Sequence, residues 1–143
     1  MAAGGTYTLL IDLAEAETVT FGAAGDRGLP AGRYAYTGSA LGPGGFARVD
    51  RHARLAAGEH DARHWHVDYL LGHPDATLLD DVRSPGVDAE CAVAGALVEV
   101  TDPVAGVGAT DCGCDSHLVT AHEPDAVSAA VRRSHRRIRA DGP

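Results

Sequence analysis

The amino-acid sequence predicts an α+β fold, with a small central antiparallel β-sheet flanked by α-helices. The sheet is expected to hold about three main strands plus an inserted hairpin strand. Three observations carry this. Runs of alternating Tyr, Thr, Leu and Ile crowd the first forty residues, glycine- and proline-rich breaks follow, and apolar residues then recur at helical spacing. With 143 residues the chain has the size of one ordinary domain and needs no staples to fold.

Taken in order, "GTYTLLIDL" (5–13) alternates and reads as a strand, and "ETVTFG" (17–22) as a second. Gly25-Asp26 and Leu29-Pro30 mark the next segment as a loop. "GRYAYTG" (32–38) is a third strand, with Tyr34, Tyr36 and Gly38 on one face and Arg33, Ala35 and Thr37 on the other. After the break at Gly42-Pro43-Gly44-Gly45, Phe46, Val49, Ala53 and Ala56 form the apolar stripe of a helix over 46–57. Arg48, Arg51 and His52 fall together on an adjoining face.

"HWHVDYLL" (64–71) reads as a short helix or a strand leading into one, and "ATLLDDVR" (76–83) as a strand. Asp88 is placed to N-cap a helix over 89–99. The segment 101–117, rich in Gly, Asp and Thr, is a loop before a last short strand, "HLVTAH". Pro124-Asp125 opens a final helix with Val127, Val131 and Ile138 inward and Arg132, Arg133, Arg136, Arg137 and Arg139 on its other faces. Residues 1–123 thus form the body and 124–143 an arginine-rich C-terminal helix.

All twelve cationic side chains are arginine, Asp outnumbers Glu, and the net charge is −8. An acidic, lysine-free surface keeps a protein soluble in concentrated salt, although a GC-rich genome also exchanges Lys for Arg; the halophilic origin is preferred. In that setting the global charge is a solubility device, and the local placement of Arg says more about a nucleic-acid partner. No apolar run approaches the ~20 residues of a spanning helix and the N-terminus lacks a signal pattern, so the expectation is a cytoplasmic protein without a membrane partner. Three cysteines, an odd number, argue against a disulfide framework.

Several constellations carry chemistry. If strands 5–13 and 32–38 pair, Tyr7 and Tyr36 can project from one sheet face, where a cation such as Arg48 would help a phenol relay a proton. A turn that bares backbone N–H groups beside guanidinium forks suits a phosphate-bearing ligand, which makes Gly38, Ser39, Gly44, Gly45 and Arg51 candidates for substrate binding. Glu90 either answers the helix dipole or holds a divalent cation. On a strand, His64, His66 and Asp68 would share a face as metal ligands; on a helix His64 and Asp68 stand one turn apart. Cys91, Cys112, Cys114 and His117 could close a structural zinc site, or be small buried groups, C-x-C being tighter than usual zinc spacing. The arginines of 132–139 are either a phosphate-binding surface or a solvated face.

Gly5-Thr6-Tyr7 and Tyr36-Thr37-Gly38, with "YTGSALGPGGFARVDRH", "HWHVDYLL", "ECAVAGAL" and "DCGCDSHL" behind them, resemble the GIY-YIG nuclease superfamily and its Uri-type branch of stand-alone domains. The likeness covers most of residues 5–118. It implies a GIY-YIG-like three-stranded sheet flanked by helices, with a phosphodiesterase site on the sheet surface. One tyrosine would help deprotonate water, Arg48 would neutralise the phosphate, and Glu90 would hold a single Mg²⁺ or Mn²⁺. His64, His66 and His117 would lie in the surrounding shell.

Two features depart from the family. Residues 14–31 insert a hairpin between the tyrosine motifs, and Ser39 stands where a lysine is common, so activation of Tyr36 is expected from His52 or a neighbouring imidazole. The leading expectation is therefore a metal-dependent endonuclease acting on DNA. The alternatives are a non-catalytic nucleic-acid-binding module of the same fold and a small-molecule metallohydrolase built on the HWHVD segment.

Overall fold

A computed structural model describes residues 4–21, 25–41, 44–58, 66–104, 116–121 and 123–141. Among these run β1 (Gly5–Leu13), β2 (Glu17–Thr20), β3 (Asp26–Leu29), β4 (Gly32–Ser39), α1 (Ala47–Ala56), α2 (His66–Leu71), β5 (Ala76–Pro85), α3 (Glu90–Val100), β6 (Asp102–Pro103), β7 (Leu118–Thr120) and α4 (Pro124–Asp141). The fold is α+β. Five strands form one sheet in the order β5-β1-β4-β7-β6, with every adjacent pair antiparallel.

The alternation of β1 decides what each face holds. Tyr7, Leu9, Ile11 and Leu13 join Tyr34 and Tyr36 of β4 in a core closed by Val49 and Leu55 of α1 and by Leu70 and Leu71 of α2. On the other face Leu10 and Ala35 pack with Val93 and Leu97 of α3 and Val127 and Val131 of α4. The C-terminal helix is thus part of the body's second core. Its Arg132, Arg133, Arg136 and Arg137 are exposed, as the sequence pattern predicts. On the edge strand β5 a bulge opposite Leu10 and Ile11 interrupts the ladder, and Asp80 on that edge pairs with Arg132, so the edge is kinked and charged against further pairing.

Several local expectations change. Residues 26–29, read as a loop, form β3 and pair with β2. The inserted hairpin is a separate two-stranded sheet and adds no strand to the central one. Its Val19, Phe21 and Leu29 are buried in the core beside α2, and that burial outweighs the weak strand signal of Gly28. In α1 the inward residues are Val49, His52 and Leu55; Ala53 is exposed, and His52 leaves the arginine face for the core. Asp88 does not cap α3, whose flanking residue is Ala89 without a side-chain cap. Residues 66–71 are helical, and positions two apart on a helix do not face the same way, so positions 66 and 68 do not share the strand face expected of them; His64 lies outside the described residues. Among the described residues no helix is long and apolar enough to cross a membrane.

Candidate active site

The two tyrosine motifs sit side by side. In the register of β1 and β4, Tyr7 opposes Gly38 and Leu9 opposes Tyr36, which makes the phenols diagonal neighbours on one face. A Cβ at Gly38 would stand 2.6 Å from Tyr7 Oη and 2.7 Å from its Cζ. The phenol end of the ring therefore lies against bare backbone, and this contact explains the glycine at position 38.

From there a buried chain of polar groups begins. Tyr7 Oη is 3.0 Å from His52 Nε2, and His52 Nδ1 is 3.0 Å from Asp68 Oδ1. His52 and Asp68 are both buried. With the Asp68 carboxylate accepting from Nδ1–H, the imidazole presents a bare Nε2, so the phenol is the donor. The phenol that His52 engages is thus Tyr7, where the sequence reading had expected Tyr36. Helix α1 supplies His52 because its second inward position falls over β1, and α2 supplies Asp68 from its first turn.

Arg48 and Glu90 bound the same region. Arg48 Nη1 donates to the carbonyl of Ser39, which fixes the guanidinium against the end of β4. Glu90 Oε2 lies 3.2 Å from His117 Nδ1, and the Glu90 side chain stays 28% exposed against 2% for His117. Thr6 sets the start of α3: its Oγ1 accepts from Ala89 N–H at 2.9 Å and donates to the Val87 carbonyl at 2.8 Å. In Gly5-Thr6-Tyr7, then, Tyr7 faces one way and Thr6 anchors the glutamate's helix from the other.

Electrostatics links these residues and corrects one expectation. Burial raises the Tyr7 pKa well above the ordinary phenol value; Arg48 lowers it, while Tyr36, Glu90 and Asp68 raise it. Tyr36 is likewise raised, by burial first and then by Glu90 and Asp68, against the pull of Arg48. So Arg48 acts on both phenols as expected, but desolvation wins and both stay neutral. Tyr7 is 1% exposed and Tyr36 6%.

Of the other predicted residues, Gly45 has a left-handed φ of 53° in the turn before α1, where Gly44 and Gly45 carbonyls accept from Ala47 and Arg48 N–H. Arg51 is half-buried on α1. Cys91 is disulfide-bonded and so offers no thiolate to zinc, which removes it from the zinc set. His64, Cys112 and Cys114 lie outside the described residues, as does the side chain of His66.

Two neighbours escaped sequence reading. Asp68 is the acid of the histidine pair, visible in sequence only as part of a metal motif. Arg83 sits opposite Tyr7 on β5, with its guanidinium 5.0 Å from the Phe46 ring centroid and 2.6 Å from Asp81. Once β1 and β5 are paired, counting along the strands would have found it.

Residues 6–140 match the family described as Domain of unknown function DUF123. The chain belongs to the DUF123 family. Neither a curated protein nor a solved structure matches it. The DUF123 match spans every residue of the site, from Thr6 through His117, and most of α4. Glu90 fits a divalent cation: it is a half-exposed carboxylate at a helix start, flanked by an imidazole, and Mg²⁺ typically takes one or two carboxylates and keeps its waters.

Proposed function

We propose that this DUF123 chain is a metal-dependent endonuclease that hydrolyses DNA phosphodiester bonds in the cytoplasm. The observation that carries the reading is the Tyr7–His52–Asp68 chain lying within the fields of Arg48 and Glu90. Tyr7 receives a proton from the attacking water as its own passes to His52 Nε2. Asp68 stabilises the imidazolium that results, and no free phenolate accumulates. This relay answers the raised pKa of Tyr7, which would make it a poor base on its own.

Arg48 neutralises charge on the phosphate. Glu90 is the residue that would hold Mg²⁺ or Mn²⁺, a group that supplies charge stabilisation at the leaving oxygen when bound. Ser39, Gly44, Gly45, Arg51 and His117 are the further residues assigned to contact the DNA backbone in this reading. The exposed arginines of α4 offer further phosphate contacts.

The test is nicking of plasmid and branched DNA in high salt with Mg²⁺ or Mn²⁺. Cleavage lost in Arg48→Ala and in Glu90→Ala, with folding retained, supports the assignment, and full activity in both removes it. The burial of Tyr7 favours a second reading, a binding module of the same fold that cuts nothing. DNA binding that survives EDTA, with no cleavage under any metal, would establish that one.

A further inference from the structure

A second cluster of titratable groups stands at the base of the inserted hairpin, apart from the phenol site. Glu17 of β2 meets His73 and Asp75 from the turn between α2 and β5, and one ligand atom of each lies within 4.8 Å of the other two. The backbone holds the parties in place, since Ala14 N–H donates to the Asp75 carbonyl at 2.9 Å. All three residues are half-buried, open enough for an ion to enter.

Two details point to a cation. His73 Nε2 is 3.7 Å from Glu17 Oε2, too long for a hydrogen bond. That distance is near the ~3.3 Å edge between two atoms each ~2.0–2.1 Å from one tetrahedral ion. A carboxylate oxygen of Glu17 and one of Asp75 also fall inside the same 4.8 Å cluster as the imidazole nitrogen. Two carboxylates at that separation repel, and a cation between them relieves the repulsion.

We propose that Glu17, His73 and Asp75 form a binding site for a divalent transition metal, with Zn²⁺ the ion that suits one imidazole and two carboxylates. Imidazole selects against Mg²⁺ and Ca²⁺, and three protein ligands leave positions for water. His73 Nδ1 now accepts a long bond, 3.2 Å, from Asp75 N–H, so the ring proton sits on Nε2. Metal ligation through Nε2 moves that proton to Nδ1 and gives up the long bond. The site then clasps the hairpin to the end of α2 from outside, where Val19, Phe21 and Leu29 already hold it from inside.

The experiment is calorimetric titration of chelator-treated protein with ZnCl₂, with bound metal counted after dialysis. One Zn²⁺ per chain is expected, together with a raised melting temperature. Binding should weaken by about tenfold or more in His73→Ala and in Glu17→Gln, and persist in Glu90→Ala. Circular dichroism checks the fold of each variant. No stoichiometric zinc in the wild type, or binding undiminished in both His73→Ala and Glu17→Gln, overturns the proposal. Neither result bears on nuclease activity, which is read separately.

Discussion

Two buried histidines, one on each side of the sheet, invite comparison. His52 on α1 joins Tyr7 and Asp68; His135 on α4 joins Thr8 and Ser84, at 2.8 Å through each nitrogen. Both are wholly shielded from solvent, and both use each ring nitrogen. They differ in the company they keep. A carboxylate at His52 steadies a positive ring, so that imidazole can take a proton and give it back. The hydroxyls at His135 can reorient but bring no charge of their own. Their network continues from Thr8 to Thr37 at 2.9 Å and bolts α4 across β1, β4 and β5. One arrangement suits proton transfer and the other cohesion.

The largest effect expected from breaking this comparison is kinetic. His52→Gln and Asp68→Asn should each lower the turnover of DNA cleavage by roughly 10²–10⁴-fold while DNA binding stays near wild type. His135→Gln should leave turnover unchanged. Equal losses from His52→Gln and His135→Gln in a nicking time course would mean that both rings merely hold the fold.

Next comes stability. His135→Ala removes a buried ring and its hydrogen bonds to Thr8 and Ser84, at a cost of about 2–4 kcal/mol in urea unfolding. Gly38→Ala should cost about 1–3 kcal/mol, since its Cβ meets the Tyr7 ring. Adding Tyr7→Phe should not rescue it, because Cζ remains at 2.7 Å, whereas adding Tyr7→Ala should relieve the clash. A double-mutant cycle by urea unfolding decides this.

The smallest effect is a slope. Tyr7 and Tyr36 are raised far above the ordinary value and Tyr34, chiefly by burial, to about 12. Above pH of about 10 the unfolded chain gives up phenol protons that the folded chain keeps. Stability should therefore fall as pH rises from about 10 toward 12, by up to ~1.4 kcal/mol per pH unit for each phenol still protonated. Tyr34→Phe should flatten the slope in an alkaline unfolding series without changing cleavage at neutral pH.

Sequence reading recovered what alternation and turn chemistry encode. β1 came out at its observed bounds, β4 lacked only its last residue, and the convergence of Tyr7 with Tyr36 and the inward Val127 and Val131 followed from periodicity. It missed what depends on neighbours distant in the chain. The pairing of His52 with Asp68 depends on α1 and α2 crossing above β1, which no local pattern announces. The start of α3 is satisfied by Thr6, more than eighty residues away, so the plausible local cap at Asp88 was misleading. The phenols' proton affinity went astray for a similar reason: the charge on Arg48 is visible in sequence, but the burial that outweighs it is not.

The missing side chain at Gly38 has a consequence for descent as well as for packing. Positions 7 and 38 share one volume, so a relative that trades the tyrosine for a small residue is released to carry alanine or serine opposite. One that keeps the aromatic ring is not. Among DUF123 chains these two sites should vary as a pair, and loss of the glycine would then mark lineages without the buried Tyr7–His52 contact that the proposed relay needs.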